Sequence, residues 1–444
     1  MSEILLISEQ TKNKMKTPHF LYIETYGCSA NQNNSEIIKG KLINAGTELV
    51  SNPEIADIIL INTCIVKEPT ENSIKQRIID LEKLNKPIII AGCMPQVRHA
   101  WLNNQKNVFL LGISHIKEIT KLIRRIIENK YDSKEFLSTP HELKVNCSKI
   151  RQNKLIGITQ ISEGCLGNCN FCLVNQVKGR LFSYPEEEII RNIQNDLKQG
   201  CKEIWLTSQD LASYGLESND KTAFISLLKE ILKINSKFKL RLGMMNLNHI
   251  LPILPSLLEI YKHEKVYKFL HVPVQSGSNN ILKAMNRKYS KQDFIEIVKK
   301  FRKEFPDSII ATDIITAFPG EIEKDFRETL ELIKETKPDV MNITRYWPMQ
   351  GTRAAKLEQI DRRTASNRAL EVQKLHLKIS EENFKKYECK TIEVFINEQE
   401  GTNCLARDEN YRLIVIKSDK KLLGKILNVK IKKAFPHYLL AEVA

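Results

Sequence analysis

The sequence predicts an α/β protein built from an N-terminal parallel-sheet domain, a central partial (β/α)6 barrel and a small C-terminal β-barrel. Aliphatic runs alternate with helical patterns through the first two parts, which is typical of parallel strands buried on both faces. The last part changes to short strands separated by turns. The length of 444 residues is enough for two or three domains, each with its own core.

The first domain is expected over residues 18–129. Continuous aliphatic runs predict its strands, at residues 20–26, 56–61, 86–91 and 108–111. Helical spacing predicts helices over residues 33–45, 69–84 and 115–128, the second opened by Pro69 in its first turn. The polar, weakly periodic residues 130–154 are interpreted as a linker.

The central domain is expected over residues 155–381, with the same strand-then-helix rhythm. Its strands are predicted at 156–161, 203–206, 239–244, 269–274, 309–315 and 340–346. Its helices are predicted at 185–198, 222–234, 291–305 and 322–335. Six such units favour a partial barrel over an open doubly wound sheet, and barrel sites lie at the carboxyl ends of the strands.

The C-terminal domain is expected over residues 382–444. Its strands are predicted at 391–397, 403–406, 413–417, 425–431 and 438–443. Its final part is rich in basic side chains: Arg412, Lys417, Lys420, Lys421, Lys425, Lys430, Lys432 and Lys433. A small basic β-barrel suits an RNA-binding module, and the alternative is a capping domain with solvated lysines.

The overall charge favours a polyanionic partner, with nucleic acid ahead of membrane. There are 68 Lys and Arg against 53 Asp and Glu, a net charge of +15. No apolar run is long enough to cross a bilayer, and the N-terminus lacks the basic-then-apolar order of a signal peptide. A cytoplasmic enzyme is therefore expected, in which clustered cysteines indicate metal ligands or redox groups rather than disulfides.

Three cysteines occupy one short stretch, Cys165-Leu-Gly-Asn-Cys169-Asn-Phe-Cys172. Three thiolates hold three irons of a 4Fe–4S cube and leave the fourth iron without a protein ligand. Because such clusters are normally held by four cysteines, a compact set of three indicates catalysis rather than electron storage. The alternative is a zinc knuckle, which usually needs four ligands in paired sets.

Cys28, Cys64 and Cys93 are scattered in sequence but alike in context. Each directly follows an aliphatic strand candidate. The carboxyl ends of parallel strands share one edge of a sheet, so these thiols are predicted to converge on a second cluster. Gly27 and Gly92 let the backbone turn closely around it. The alternative is three separate core cysteines.

With these residues in view, the chain resembles the radical S-adenosylmethionine methylthiotransferases over essentially its whole length, with an N-terminal three-cysteine domain, a radical-SAM barrel and a C-terminal TRAM domain. The archaeal and eukaryotic type is the most similar. The matching segments are Asn62-Thr-Cys-Ile-Val-Lys67, Glu203-Ile-Trp-Leu-Thr-Ser-Gln-Asp210, Arg241-Leu-Gly-Met244, His271-Val-Pro-Val-Gln-Ser276 and Ala311-Thr-Asp-Ile-Ile315. That type converts N(6)-threonylcarbamoyladenosine, just 3′ of the tRNA anticodon, into its 2-methylthio derivative.

The resemblance implies two 4Fe–4S clusters and S-adenosylmethionine. Cys165, Cys169 and Cys172 would bind the cluster that chelates and cleaves S-adenosylmethionine into methionine and a 5′-deoxyadenosyl radical. The other set would bind an auxiliary cluster that carries the sulfur, which another S-adenosylmethionine methylates. An aromatic C–H has no acidic proton, so radical chemistry in a water-excluded pocket suits its replacement.

The resemblance also suggests cofactor contacts at the strand ends of the barrel: Gln209, Asp210, Arg241, Gln275, Ser276, Phe318 and Gly320. Gln209 and Asp210 are expected to bind the ribose or amino group of the cofactor, and Arg241 its methionyl carboxylate. Phe318 and Gly320 lie near the expected adenine site. Structural alternatives stay open, such as a turn at Gly320 and an ion pair for Arg241.

The chain departs from the family pattern in two places. Ala317 stands where the family commonly has glycine, and Asn246-Leu247-Asn248 replaces a usual Asn-Pro-Pro.

The expected partners are the tRNA anticodon stem-loop and an electron donor of the flavodoxin or ferredoxin type. A monomer without membrane attachment is expected. The alternative functions are the same chemistry on isopentenyladenosine in tRNA or on a ribosomal-protein aspartate, and a non-catalytic iron–sulfur RNA-binding protein.

Overall fold

The computed structural model describes residues 20–65, 68–138 and 141–444. The chain divides into two compact units, one comprising residues up to 152 together with 176–179, and the other comprising 153–175 and 180–444. Residues 18 and 19 of the predicted first domain lie outside the described residues, as do Val66 and Lys67 of the motif after the third strand.

The first unit contains a parallel five-stranded sheet in the order β2-β1-β3-β4-β5. Its strands are β1 Phe20–Thr25, β2 Glu48–Val50, β3 Ile58–Thr63, β4 Ile88–Gly92 and β5 Val108–Gly112. Its helices are α1 Ser29–Asn44, α2 Glu68–Glu82, α3 Met94–Val97, α4 His99–Asn103 and α5 Ile119–Ile127. The central strands β3 and β4 are buried throughout, as their aliphatic runs predict. The predicted helix over 115–128 begins as a 3-10 segment, Ile113–Glu118, and becomes α-helical only at Ile119.

The stretch interpreted as a linker is packed on the first unit. Phe136, in the 3-10 turn Ser133–Phe136, is fully buried in the core formed by the sheet and its helices. Tyr131 and Cys147 pack against the same core. Its polar composition nevertheless fits a segment that forms little regular structure.

The second unit contains the six predicted parallel strands as two three-stranded sheets, β6-β9-β10 and β11-β12-β13. A bridge between Leu240 and Val266 joins the two halves. The strands are β6 Ile156–Gln160, β9 Glu203–Thr207, β10 Lys239–Leu242, β11 Phe269–His271, β12 Ile309–Thr316 and β13 Val340–Arg345. A short ladder of β7 Ser162–Glu163 and β8 Phe182–Ser183 flanks the first strand. This arrangement confirms the partial barrel.

Helices separate the strands of the barrel and cover its outside. They are α6 Val174–Lys178, α7 Glu186–Lys198, α8 Ala223–Lys233, α9 Leu247–Ile250, α10 Leu254–Lys262, α11 Asn279–Ala284, α12 Lys291–Glu304, α13 Glu323–Thr336 and α14 Arg362–Lys385. Ser290 and Asp293 form a capping box at the start of α12, which explains where that helix begins. The long helix α14 and the helix α10 were not among the predicted elements.

The C-terminal residues form the predicted closed β-barrel, in the order β14-β15-β16-β18-β17. Its strands are β14 Thr391–Glu400, β15 Asn403–Arg407, β16 Leu413–Lys417, β17 Ile426–Phe435 and β18 Tyr438–Val443. Its interior shares one hydrophobic core with Tyr267, Phe269, Ile309 and Ala311 of the larger barrel. Across the described ranges, none of the helices combines the length and apolarity that a membrane span requires.

Candidate functional site

The first set of thiols lies at one edge of the N-terminal sheet. Cys28 follows β1 and caps α1, Cys64 follows β3, and Cys93 follows β4 directly. Because β1, β3 and β4 are neighbours in the sheet, their carboxyl ends bring these cysteines to the same edge. Cys28 is exposed, whereas Cys64 and Cys93 are buried.

Two glycines make room for the backbone around these thiols. Gly27 has φ +109°, and a Cβ there would lie 2.8 Å from Cys64 Cβ and 3.1 Å from its Sγ. Gly92 has φ +88°, and a Cβ there would lie 2.4 Å from the carbonyl oxygen of Thr63. No other L-residue fits either position without strain. The site therefore has the close backbone approach that a bulky inorganic group needs.

Side-chain hydrogen bonds from Asn31 and Thr63 fix the strand ends next to the first set of cysteines. The Asn31 side chain donates to the carbonyl oxygens of Tyr26, at 2.9 Å, and Thr63, at 2.8 Å, which precede the cysteine-bearing turns. The Thr63 hydroxyl donates to Ala91 O and accepts from Met94 N. These bonds tie the ends of neighbouring strands together, and such supporting contacts orient ligands at metal sites.

The second set of thiols lies on the loop that follows the first barrel strands, where barrel chemistry is expected. Cys165 Sγ accepts from the backbone N–H of Gly167 at 3.2 Å, and Cys172 Sγ accepts from that of Val174 at 3.4 Å. Burial raises the pKa of Cys165 to about 11, and the negative charges of Asp210 and Cys169 act in the same direction. Thiols must lose their protons to bind iron, so cluster binding at this loop releases protons.

A cavity of about 160 Å³ opens beside this loop. Gly167 and Cys169 line one side of it, and Asn246, His249 and Arg287 line the other. Arg287 donates an N–H to Cys169 Sγ at 3.1 Å and is held by Tyr289, whose hydroxyl accepts from its Nε at 2.6 Å. A fixed guanidinium beside Cys169 in this cavity favours an anionic group there.

The surroundings of the thiols fit an iron–sulfur cluster. In the part of the chain that the structure describes, no three His, Cys, Asp or Glu side chains converge on a position for one metal ion. A 4Fe–4S cube presents its irons at separate corners, so its ligands need not converge on one point. The glycine cradle of the first set and the N–H donors to the sulfurs of the second fit such a group.

The predicted cofactor residue Asp210 is engaged in the protein. Its side chain is buried, one oxygen accepts from Asn246 N at 3.0 Å, and the other contacts His249 Nδ1 at 2.6 Å. The contact fixes the orientation of the His249 ring at the cavity. Asp210 thus positions two residues of the cavity wall.

Gln209, also predicted, carries an unsatisfied acceptor. Its amide oxygen is buried, and among the described residues it has no hydrogen-bond partner. The same holds for the side-chain oxygen of Asn246, which lines the cavity beside Cys169. Buried acceptors without a partner are costly, so these two atoms mark places where a ligand would donate hydrogen bonds.

Gln275 and Ser276 lie where the fourth strand leads into α11. Gln275 has φ +72°, a left-handed conformation that is rare for a residue with a side chain, and its N–H donates to Asp313 O. Ser276 is fully buried, and its hydroxyl lies 3.3 Å from that of Thr329. Ser276 therefore holds α11 against α13, while its predicted cofactor contact stays a prediction.

Phe318 and Gly320 form the turn after the fifth strand. Phe318 is buried and packs edge-on against Phe171, which lies between two cysteines of the loop. Gly320 has φ +85° with open space around it. Ala317, where the family commonly has glycine, has φ +58°, so the backbone here adopts a conformation that explains the preference for glycine.

Arg241 is enclosed by aromatic rings. Its guanidinium carbon lies 5.3 Å from the ring centre of Trp205, and 5.2 Å from those of Phe269 and Tyr411. Such contacts stabilise a cation in an apolar setting. Its predicted pairing with the methionyl carboxylate stays a prediction, because the structure gives Arg241 this ring environment and gives Arg287 the contact to Cys169.

Two residues of the cavity, Arg287 and His249, were absent from the sequence-based predictions. Arg287 lies on the loop after α11 and His249 lies in the short helix α9. Both are far in sequence from Cys169, which lines the same cavity, so neither periodicity nor spacing points to them. The clue for His249 was its place shortly after the third barrel strand, at a point where the chain departs from the usual Asn-Pro-Pro.

Family models match the chain in three places. Residues 20–112 match the model described as uncharacterized protein family UPF0004, residues 159–333 match the radical SAM superfamily, and residues 385–444 match the TRAM domain. The matches fall on the N-terminal sheet, the partial barrel and the C-terminal barrel, respectively.

Curated relatives extend over nearly the whole chain. A probable threonylcarbamoyladenosine tRNA methylthiotransferase of Pyrococcus horikoshii is 39% identical over 95% of this chain and 99% of its own length. The threonylcarbamoyladenosine tRNA methylthiotransferase of Homo sapiens is 32% identical over 94% of this chain and 73% of its own length.

Among solved structures, the radical S-adenosylmethionine methyltransferase TsrM from Kitasatospora setae is similar in fold. It aligns with a TM-score of 0.56 at 11% identity, covering 76% of this chain and 77% of that one. At this identity the likeness concerns the fold alone.

Proposed function

We propose that this chain, which belongs to the threonylcarbamoyladenosine tRNA methylthiotransferase family, replaces the hydrogen on carbon 2 of N(6)-threonylcarbamoyladenosine in tRNA with a methylthio group. The modified nucleoside lies next to the anticodon. The product is 2-methylthio-N(6)-threonylcarbamoyladenosine. The observation that carries the proposal is that each of the two units presents its own trio of cysteines at the carboxyl ends of parallel strands.

The proposal assigns Cys165, Cys169 and Cys172 to the cluster that binds S-adenosylmethionine, and Cys28, Cys64 and Cys93 to an auxiliary 4Fe–4S cluster. When bound, the cluster at Cys165, Cys169 and Cys172 would supply the electron for reductive cleavage of S-adenosylmethionine, and the auxiliary cluster would supply the sulfur. The glycine cradle at Gly27 and Gly92 supports the second assignment. The cavity beside Cys169 supports the first.

Residues of the cavity, together with Gln209 just after the second barrel strand, are suited to hold the methionyl part of S-adenosylmethionine. Arg287 provides a guanidinium for its carboxylate, next to Cys169. The unsatisfied oxygens of Gln209 and Asn246 provide acceptors for its ammonium group. Asp210 positions Asn246 and His249, which keeps the cavity wall fixed before the ligand arrives.

The domains follow the same assignment. We propose that residues 18–129 form the methylthiotransferase domain with the auxiliary cluster, 130–154 a linker, 155–381 the radical-SAM core and 382–444 the RNA-binding TRAM domain, which would hold the anticodon stem-loop. The lysines of the C-terminal barrel support binding of a polyanion.

Reductive cleavage needs an external electron, for which we propose a donor of the flavodoxin or ferredoxin type. We further propose that the enzyme works as a monomer in the cytoplasm.

The test is to express the chain in a host that lacks its own enzyme and to analyse digested tRNA by mass spectrometry. The methylthio derivative of threonylcarbamoyladenosine is the expected product. The methylthio derivative of isopentenyladenosine would instead identify the alternative substrate. Intact clusters and host tRNA bearing the threonylcarbamoyl group, with neither product formed, would favour a non-catalytic iron–sulfur RNA-binding protein.

A further inference from the structure

The interior of the larger barrel holds a polar layer between two apolar ones. Successive inward positions on β12 are Ala311, Asp313 and Ile315, because alternate residues of a strand share a face. Ala311 packs in the aromatic core that the larger barrel shares with the C-terminal barrel. Ile315 packs against a separate buried cluster that contains Phe318, and Phe171 of the cysteine loop packs against the same cluster. Asp313 lies between these two apolar layers.

Polar side chains from three neighbouring strands meet at this middle level. His271 on β11 lies with its Nε2 3.2 Å from Asp313 Oδ1, and the Asn342 side chain on β13 donates to the same oxygen at 2.7 Å. The strands β11, β12 and β13 are adjacent, and Asp313 pairs directly with Asn342 in the register. We call His271, Asp313 and Asn342 the interior polar triad.

The interior polar triad remains open to solvent although it lies inside a barrel. The side chains of His271 and Asp313 are 16% and 27% exposed, and Asn342 is exposed. Barrel interiors are normally filled by packed branched side chains, as the layer around Phe269 and Tyr411 is here. A solvated polar layer between two packed ones is the arrangement of a binding site rather than of a core.

We propose that the interior polar triad binds the threonylcarbamoyl group of the substrate nucleoside. This inference rests on the proposed function. The threonylcarbamoyl group carries a carboxylate, a hydroxyl and urea-type N–H and C=O groups. The triad offers complementary chemistry: imidazole and amide N–H donors for the carboxylate or carbonyl, and a carboxylate acceptor for N–H and hydroxyl groups.

The chemistry of the base is consistent with this placement. Carbon 2 and carbon 6 of adenine flank the same ring nitrogen, so the substituent on carbon 6 points to a different wall from carbon 2. With carbon 2 directed at the level of the cysteine loop, the substituent is directed away from that loop. This placement directs the substituent to the polar layer, whose Asp313 lies two residues before Ile315 on β12.

The test compares binding of two anticodon stem-loop RNAs, identical except that one carries threonylcarbamoyladenosine and the other adenosine. Fluorescence anisotropy is measured without reductant, on wild-type protein with reconstituted clusters and on Asn342→Ala and His271→Gln. Wild type should prefer the modified RNA. Each variant should lose about ten-fold in affinity for it, the loss of a hydrogen bond to a charged group, with unchanged affinity for the unmodified RNA.

Asn235→Ala is the matched control, since Asn235 is an exposed asparagine in the loop before β10; it should bind both RNAs like wild type. Absorption of the clusters verifies that each variant is folded and loaded. If wild type makes the methylthio product but both triad variants keep its preference for the modified RNA, or if wild type shows no preference, the triad is not the reader. Absence of the methylthio product from wild type, by contrast, argues against the proposed function.

Discussion

The two cysteine sites are built in opposite ways. The site in the first unit gathers thiols that are far apart in sequence, by placing Cys28, Cys64 and Cys93 after adjacent strands. The site in the second unit takes its thiols from one loop. The first site depends on backbone geometry, since two left-handed glycines and an amide hold the strand ends. The second depends on side chains that approach from other loops, above all Arg287. Sequence distance between ligands therefore says little about which site is the more constrained.

The sharpest separation of the two sites comes from removing one thiol at a time. Cys169→Ala should abolish S-adenosylmethionine cleavage, because the cluster loses a ligand beside the cofactor cavity. Cys64→Ala should spare cleavage yet block sulfur insertion. The measurements are 5′-deoxyadenosine by chromatography and modified nucleoside by mass spectrometry. Full product formation by Cys64→Ala would overturn the scheme of two clusters.

The next largest effect is expected from the glycines. Gly92→Ala places a Cβ 2.4 Å from Thr63 O at φ +88°, so we expect it to cost about 1–3 kcal/mol of stability and to lower the iron content of the first site. In Gly167→Ala the added Cβ would lie 3.2 Å from Cys165 Sγ and 3.7 Å from Cys169 Sγ, which are looser contacts, so this variant should be milder. Thermal unfolding measures the loss of stability in each variant, and iron analysis measures the loss of bound iron. Equal losses would mean that the loop is as constrained as the sheet edge.

Substitutions of Arg287 and Arg241 test which arginine side chain binds S-adenosylmethionine beside the loop of Cys165, Cys169 and Cys172. Arg287→Met should weaken binding of S-adenosylmethionine about 10- to 100-fold, as for a lost hydrogen bond between charged groups. Arg241→Met should lower thermal stability instead, because Arg241 is surrounded by aromatic rings. Equilibrium binding of S-adenosylmethionine to the loaded protein distinguishes them. If Arg241→Met weakened binding of S-adenosylmethionine and Arg287→Met did not, Arg241 would be the partner of the methionyl carboxylate.

The smallest effects concern the supporting residues. Asn31→Ala removes the side-chain donor that links the carbonyls of Tyr26 and Thr63, although Thr63 O still accepts from the N–H of Cys93. It should weaken retention of the auxiliary cluster about ten-fold. Asp210→Asn should keep both clusters and reduce binding of S-adenosylmethionine only a few-fold, through a displaced His249. Chelator challenge followed by iron analysis reports the first, and cofactor binding the second. Loss of the auxiliary cluster in Asp210→Asn would contradict the separation of roles.

Much of the fold could be predicted because its strands are strongly patterned. The buried aliphatic runs of β3 and β4 locate the central strands to within two residues at their starts. The edge strand β2, Glu48–Val50, was missed because it is short and partly exposed, with no aliphatic run. The helix α14 was missed because charged residues interrupt its apolar stripe.

The cysteines of the site could be predicted, whereas its side-chain partners could not. A strand-end rule brings Cys64 and Cys93 together, because it depends only on topology. Arg287 reaches Cys169 from a loop after α11, and no local pattern encodes such a contact. Asp210 was identified at the right strand end, but sequence does not reveal that its two oxygens are already engaged.

The shared core between the two barrels limits how this enzyme can be dissected. Tyr411 enters from the C-terminal barrel and touches Trp205, Tyr267 and Phe269 at the base of the larger one. Glu203, fully buried there, accepts a hydrogen bond from Asn397 of β14. A chain cut before β14 would open that base to water and leave Glu203 without one of its donors. A foreign RNA-binding domain fused in its place would need an aromatic side chain that covers the base of the larger barrel as Tyr411 does.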